Sequence, residues 1–159
     1  MDTSKLKLGS ITFNHAKEKG GGSMVRMDII PANETEEGFI RLTFANQVKD
    51  QVFFDSENQI DFDLDLVGCA EFLRVLRGEC EAINDGHGLV KDGSGTDTIL
   101  RFGHVLYPES GFDLEAICTF AEDRLPERHV QVKFHFSNAE ALAVCEVMSS
   151  SLRLIGFGI

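Results

Sequence analysis

Apolar and polar residues alternate strictly along several stretches of this chain. In 39–48, Ile40, Leu42 and Phe44 share one side; in 60–66, Phe62, Leu64 and Leu66 oppose Asp61, Asp63 and Asp65. A period of two marks a half-buried β-strand. The same pattern predicts strands over 6–14 and over 24–30, the latter with Val25, Met27 and Ile29 on one face, and a continuation at Val52-Phe53-Phe54. In the second half it predicts a strand over 80–83 leading on to Leu89-Val90, and one over 98–107 that Pro108 ends. Two more follow, over 112–121 with Leu114, Ala116, Cys118 and Phe120 inward, and over 130–136 with Val132, Phe134 and Phe136 inward. Turn residues separate them at Gly20-Gly21-Gly22, from Pro31 to Gly38, at Lys49-Asp50, at Ser56-Glu57-Asn58, at Asn84-Asp85-Gly86 and at Asp92-Gly93-Ser94-Gly95.

Twice the period changes. Cys69, Phe72, Leu73 and Leu76 fall at i, i+3, i+4 and i+7, which predicts a helix over about 68–78, ended by Gly78. Ser137 or Asn138 is a good N-cap for a second helix that runs to about Ser150. This second helix is apolar nearly all round, at Ala141, Leu142, Val144, Cys145, Val147 and Met148, which predicts burial on more than one side. Residues 151–159 form an apolar C-terminal tail that must dock on its own sheet or on a partner.

The chain also repeats itself. Val25-Arg26-Met27, Gly38-Phe39, Thr43-Phe44-Ala45, the alternating strand at 62–66 and Ala70-Glu71-x-Leu73 occur in that order. Leu100-Arg101-Phe102, Gly111-Phe112, Thr119-Phe120-Ala121, the alternating strand at 132–136 and Ala139-Glu140-x-Leu142 follow at an offset of about 70 to 75 residues. The prediction is a single α+β domain over 1–159 with two antiparallel β-sheets and two helices. It is built from a duplicated strand-strand-strand-strand-helix unit, repeat 1 at about 6–78 and repeat 2 at about 80–150.

A doubled unit of this kind resembles the Whirly proteins, and is similar to two fused copies of the positive-cofactor-four-type unit, which normally pairs as a dimer. The resemblance covers nearly the whole chain and is one of topology and spacing. It implies single-stranded DNA or RNA binding on sheet faces and edges, in oligomers held by their helices. The Lys-Gly-Lys-Ala-Ala-Leu motif of plant Whirly proteins is absent, so no residue is carried over by motif.

Charge qualifies that picture. The net charge is −11, which argues against a general nucleic-acid coat. Its distribution is uneven: Lys5, Lys7, Lys17, Lys19 and Arg26 outnumber Asp2, Glu18 and Asp28 in 1–30, whereas 31–70 carries nine acidic residues against Arg41 and Lys49. Hydrophobic content of 43% in 159 residues suits one soluble domain with a real core. No apolar run approaches the roughly 20 residues of a membrane span, and Met1-Asp2-Thr3-Ser4-Lys5 lacks a signal-peptide core, so the expectation is a cytoplasmic protein without membrane contact.

Single-strand binding needs cations for the backbone and flat side chains for the bases. The candidates are Lys5, Lys7, Lys17, Lys19, Arg26, Arg41, Arg101 and Lys133, with His135, and for stacking Phe39 and Tyr107, with Phe13 and Phe53 or Phe54 behind them. Phe39 shares strand parity with Arg41 and should face outward beside it. The outward positions of the two repeats differ, with Asp61, Asp63 and Asp65 in the first against Gln131, Lys133 and His135 in the second. Arg101 and Thr119 lie on the strands next to those of the second. The second sheet and the N-terminal strands are therefore where a nucleic acid is expected, since the acidic strand repels phosphate.

No other chemistry stands out. The cysteines at 69, 80, 118 and 145 lack zinc spacing and read as core residues of a reducing compartment. Alternate carboxylates on one strand lie about 7 Å apart, too far to converge on a metal ion. The glycines of 84–88 read as a turn, without the GxxxxGK[ST] of a phosphate loop. The expectation is a non-enzymatic protein with no catalytic residue, metal or cofactor, which binds single-stranded DNA or RNA in replication, recombination or repair. The partners expected are that nucleic acid and further copies of the chain, joined through the second helix and the tail. The alternative is an oligomeric protein-interaction or virion assembly module that binds no nucleic acid.

Overall fold

A computed structural model describes residues 9–93, 96–120 and 128–159. Strands β1 (Gly9–His15), β2 (Ser23–Ile30), β3 (Phe39–Asn46) and β4 (Ile60–Leu64) form one antiparallel sheet in chain order, followed by helix α1 (Leu66–Leu76). Strands β5 (Leu89–Gly93), β6 (Thr96–Val105), β7 (Gly111–Phe120) and β8 (Arg128–Phe136) form the second, followed by α2 (Asn138–Phe157). This is the duplicated α+β unit that the hydrophobic pattern predicts.

Both repeats feed one core. Val25, Met27, Ile40, Leu42 and Phe44 of the first sheet and Leu100, Leu114, Ala116 and Val132 of the second are completely buried. Phe13 on β1 meets Phe136 on β8 edge to face, with ring centroids 5.3 Å apart. Phe13 is thus a core residue and not a stacking surface. Phe72 on α1 stacks on Phe102 of β6 at 4.4 Å, so the helix of the first repeat packs against the sheet of the second. Side chains also seal one sheet with the other. Ser23 Oγ and Asn46 Nδ2 donate to the carbonyls of Lys133 and Gln131 on β8, and Lys91 Nζ lies over the Phe62 ring and donates to Asp63 O on β4.

Several boundaries differ from the sequence reading. Asp65 is not the third member of an outward acidic row. It is the N-cap of α1, its side chain accepting from Gly68 N at 2.8 Å, and the helix starts and ends two residues earlier than expected. Val52-Phe53-Phe54 forms no strand; Phe54 makes a single bridge to Gln47. The predicted strand at 80–83 shrinks to one bridge, Ala82 to Gly103. Residues read as an apolar tail continue α2 to Phe157, where Gly158 caps it in the left-handed region at φ 78°. Its last carbonyls are satisfied from outside, since Ala32 N donates to Leu154 O and Gly38 N to Ile155 O, both at 2.9 Å. Nor is α2 buried all round: Ala141, Val144, Met148, Ser151 and Ile155 form one buried stripe, and Leu142 stays 64% exposed.

The start of α2 is a capping box tied to β1. Ser137 Oγ accepts from Glu140 N at 3.1 Å, Glu140 Oε1 accepts from Ser137 N at 3.0 Å, and His15 Nε2–H donates to Glu140 Oε2 at 2.8 Å. Burial pushes the Glu140 carboxyl up, but the Ser137 donors and the neighbouring His15 outweigh it and hold the group below its ordinary 4.5. A depressed folded pKa gives stability that is present above the unfolded value and lost as pH falls through the folded one. Glu140→Gln keeps an acceptor for the cap and removes the charge. It is expected to cost about 0.5–1 kcal/mol near pH 7 and less near pH 3, read as the urea midpoint difference from wild type. An equal difference at both pH values contradicts the charged role.

Candidate nucleic-acid interface

The outward faces of the two sheets carry different charge orders. Asp65 and Ser137 each cap a helix directly after the last strand of their repeat, which sets the structural offset there at 137 − 65 = 72. Asp61 therefore matches Lys133, and Asp63 matches His135; the expected match of Asp61, Asp63 and Asp65 with Gln131, Lys133 and His135 shifts by two residues. Across the first sheet the outward rows run Arg26–Thr43–Asp61 and Asp28–Arg41–Asp63. Across the second they run Arg101–Glu115–Lys133 and Gly103–Asp113–His135. In the first sheet the row Asp28–Arg41–Asp63 sets a cation between two acids. In the second the row Arg101–Glu115–Lys133 sets an acid between two cations.

These rows are paired, cross-strand, into local networks. Arg41 grips Asp63 with two hydrogen bonds, Nε to Oδ1 at 2.8 Å and a terminal nitrogen to Oδ2 at 3.1 Å. That contact, working against burial, holds the guanidinium more firmly charged. The Arg41 guanidinium also lies over the Phe39 ring, 5.4 Å from its centroid, so the expected neighbours do meet. Arg26 Nε donates to the buried Asp28 at 3.1 Å. On the second sheet Glu115 is the hub: Arg101 lies 3.2 Å away, Lys133 3.7 Å, and Gln131 Nε2 donates to it at 2.6 Å. His135 Nδ1–H donates to Asp113 at 2.7 Å, which leaves its Nε2, buried against Gly111, without a partner among the described residues.

A cleft of about 920 Å³ opens over the second face. Arg101, Gly103, Asp113, Glu115, Lys133 and His135 line it, joined by Lys17, Gly21, Gly22 and Ser23 from the β1–β2 connection. Of the residues expected from sequence, Lys17, Arg101, Lys133 and His135 thus come together. Tyr107, 87% exposed, stands beside Pro108 on the rim. Lys19 lies on the same connection as Lys17. Arg26, Phe39 and Arg41 form a separate group on the outward face of the first sheet. Lys5 and Lys7 lie outside the described residues. Glu115 organises the cations of the cleft, a role that only the cross-strand register exposes and that no sequence pattern marks.

Burial pushes the Cys69 thiol up to about 12, so it is a packing group rather than a nucleophile. Among the described residues no group of three or more His, Cys, Asp or Glu gathers as a metal site, and no helix is long and apolar enough to cross a membrane.

No protein-family model and no curated protein sequence matches the chain. Solved structures do. WHY1 from Arabidopsis thaliana superposes with a TM-score of 0.70 at 12% identity, covering 94% of this chain and 87% of that one. The plant transcriptional regulator PBF-2 gives 0.61 at 14%, over 94% and 84%. A guide-RNA-binding protein complex bound to a gRNA gives 0.61 at 18%, over 99% of both chains. With two four-stranded antiparallel sheets, each followed by a helix, along nearly its whole length, the chain has a Whirly-like fold.

Proposed function

We propose that this protein binds single-stranded DNA or RNA on the outward face of its second sheet, without catalysing a reaction, and acts in DNA replication, recombination or repair. The observation that carries the reading is the Arg101–Glu115–Lys133 row on the floor of a cleft that Lys17 also enters. Two cations in line on the strands either side of β7 suit phosphates of one strand, and an open sheet face admits an unpaired strand more readily than a duplex. The fold adds support, since one protein complex of this fold is named for binding guide RNA and was solved bound to it. Fluorescence anisotropy with labelled oligonucleotides at several salt concentrations tests the proposal. Binding should weaken steeply with salt and be poorer for duplex; no binding at low salt with micromolar protein rejects it.

A second reading, self-association through the helices, is favoured by Leu142 and Phe157 on α2, Ile159 beyond it and Val67 on α1, all strongly exposed. The two readings are compatible, as none of these four side chains lines the cleft. Light scattering on the same samples checks it, a strict monomer ruling it out.

A further inference from the structure

The described cations differ in what already holds them. Arg26, Arg41, Arg101 and Lys133 are each paired with a carboxylate. A phosphate that binds them must compete with that partner. Lys17, Lys19 and Lys49 are exposed, and their ammonium groups have no partner among the described residues. All three stand on one lobe, made by the β1–β2 connection and the start of the β3–β4 connection, where Glu18 and Asp50 are the only carboxylates between residues 16 and 22 or 47 and 54.

Gln47 locks these two connections together. Its buried side chain accepts at Oε1 from Lys17 N at 2.8 Å and Gly22 N at 3.0 Å, and donates through Nε2 to Lys17 O at 2.6 Å and Gln51 O at 2.5 Å. Its backbone N adds a bond to Gly22 O at 2.9 Å. Every hydrogen-bonding position of the amide is used, so the lobe is set before any ligand arrives. Gly22 belongs to this lock, because an added Cβ would overlap His15 O and sit 2.6 Å from Gln47 Oε1. On the far side of the lobe Val48 N donates to Phe53 O at 3.0 Å, closing a tight loop from which the Phe53 ring stands 57% exposed.

The lobe is continuous with the cleft. A recess of about 230 Å³ lined by Gly21, Gly22, Ser23, Asn46, Gln131 and Lys133 shares four of those residues with it. Gly21, at φ +84°, presents bare backbone with open space where a side chain would be.

We propose that this lobe is a second contact surface for the same single strand. Lys17, Lys19 and Lys49 hold phosphates, Phe53 stacks a base, and the strand crosses from the sheet floor over Gly21 and Gly22. The proposal rests on the single-strand reading of the cleft and extends it by joining Lys17, Lys19 and Phe53 with Lys49 on one surface. Stacking on one aromatic ring and one phosphate contact each change affinity on the order of tenfold.

The double variant Lys49→Glu with Phe53→Ala changes two exposed side chains and leaves the Gln47 lock intact. Oligothymidylates of graded length are titrated against both proteins at fixed salt. Wild-type affinity should climb with length until the strand covers floor and lobe; the variant should stop climbing earlier and bind the longest oligonucleotides on the order of 100-fold more weakly. If wild type and variant match on the longest oligonucleotides, the lobe is not a contact surface although the cleft is. If wild type binds none of them, the cleft reading itself fails and takes this one with it.

Discussion

Replacing Arg101 and Lys133 together by glutamate is expected to weaken single-strand binding by at least ~100-fold near 0.1 M salt. The change removes two phosphate contacts and sets three carboxylates side by side across β6, β7 and β8, because Glu115 lies between the two positions. Losing two cation–phosphate contacts should also flatten the salt dependence, lowering the slope of log affinity against log salt by about 1.4 for a single strand. Like charges opposite one another weaken a sheet, so circular dichroism and a urea titration must show that the variant stays folded. Glu115→Gln supplies the opposite sign: it frees Arg101 and Lys133 from their shared partner and should tighten binding roughly threefold. A folded double variant that binds like wild type, or a Glu115→Gln protein that binds more weakly, places the strand elsewhere.

That pair of signs comes from the register, and the register marks the limit of what the chain discloses. Alternation such as Phe62-x-Leu64 is a local property, so inward and outward positions of β3, β4, β7 and β8 are legible residue by residue. Which outward residues become neighbours depends on pairings such as Arg101 with Glu115 and Arg41 with Asp63, 14 and 22 residues apart. Cations that look free in the sequence are therefore already engaged. The lobe is hidden for the same reason, since Gln47 reaches 25 and 30 residues back to Gly22 and Lys17.

Helix ends fail for a different reason. Ser149-Ser150-Ser151 looks like a stop, yet Ser151 Oγ donates to Val147 O at 2.6 Å, one turn back, and so enters the buried stripe of α2. Asp65 satisfies two patterns at once, the outward position of a strand and the N-cap of a helix. Only the backbone decides between them, and with it the offset of 72 that matches Asp61 with Lys133.

Phe72→Ala should be the most damaging core substitution on α1, costing about 3–5 kcal/mol, a large part of the ~5–15 kcal/mol that stabilises a domain of this kind. The ring is completely buried and lies 4.4 Å from Phe102, tilted by 12°, and Phe102 continues the aromatic row to Phe112 at 5.7 Å and Phe136 at 6.3 Å. Truncation opens a cavity between the helix of one repeat and the sheet of the other, where rigid β6 and β7 limit collapse. Because both repeats share one core, the urea transition monitored by circular dichroism should move to lower denaturant as a single step, with its slope unchanged. Should Phe72→Ala not fold at all, Phe72→Leu, expected to cost about 1.5 kcal/mol or somewhat more, keeps the comparison measurable. Two separate transitions in either variant, one sheet outliving the other, would show that the repeats are independent units and that the Phe72–Phe102 stack does not join them.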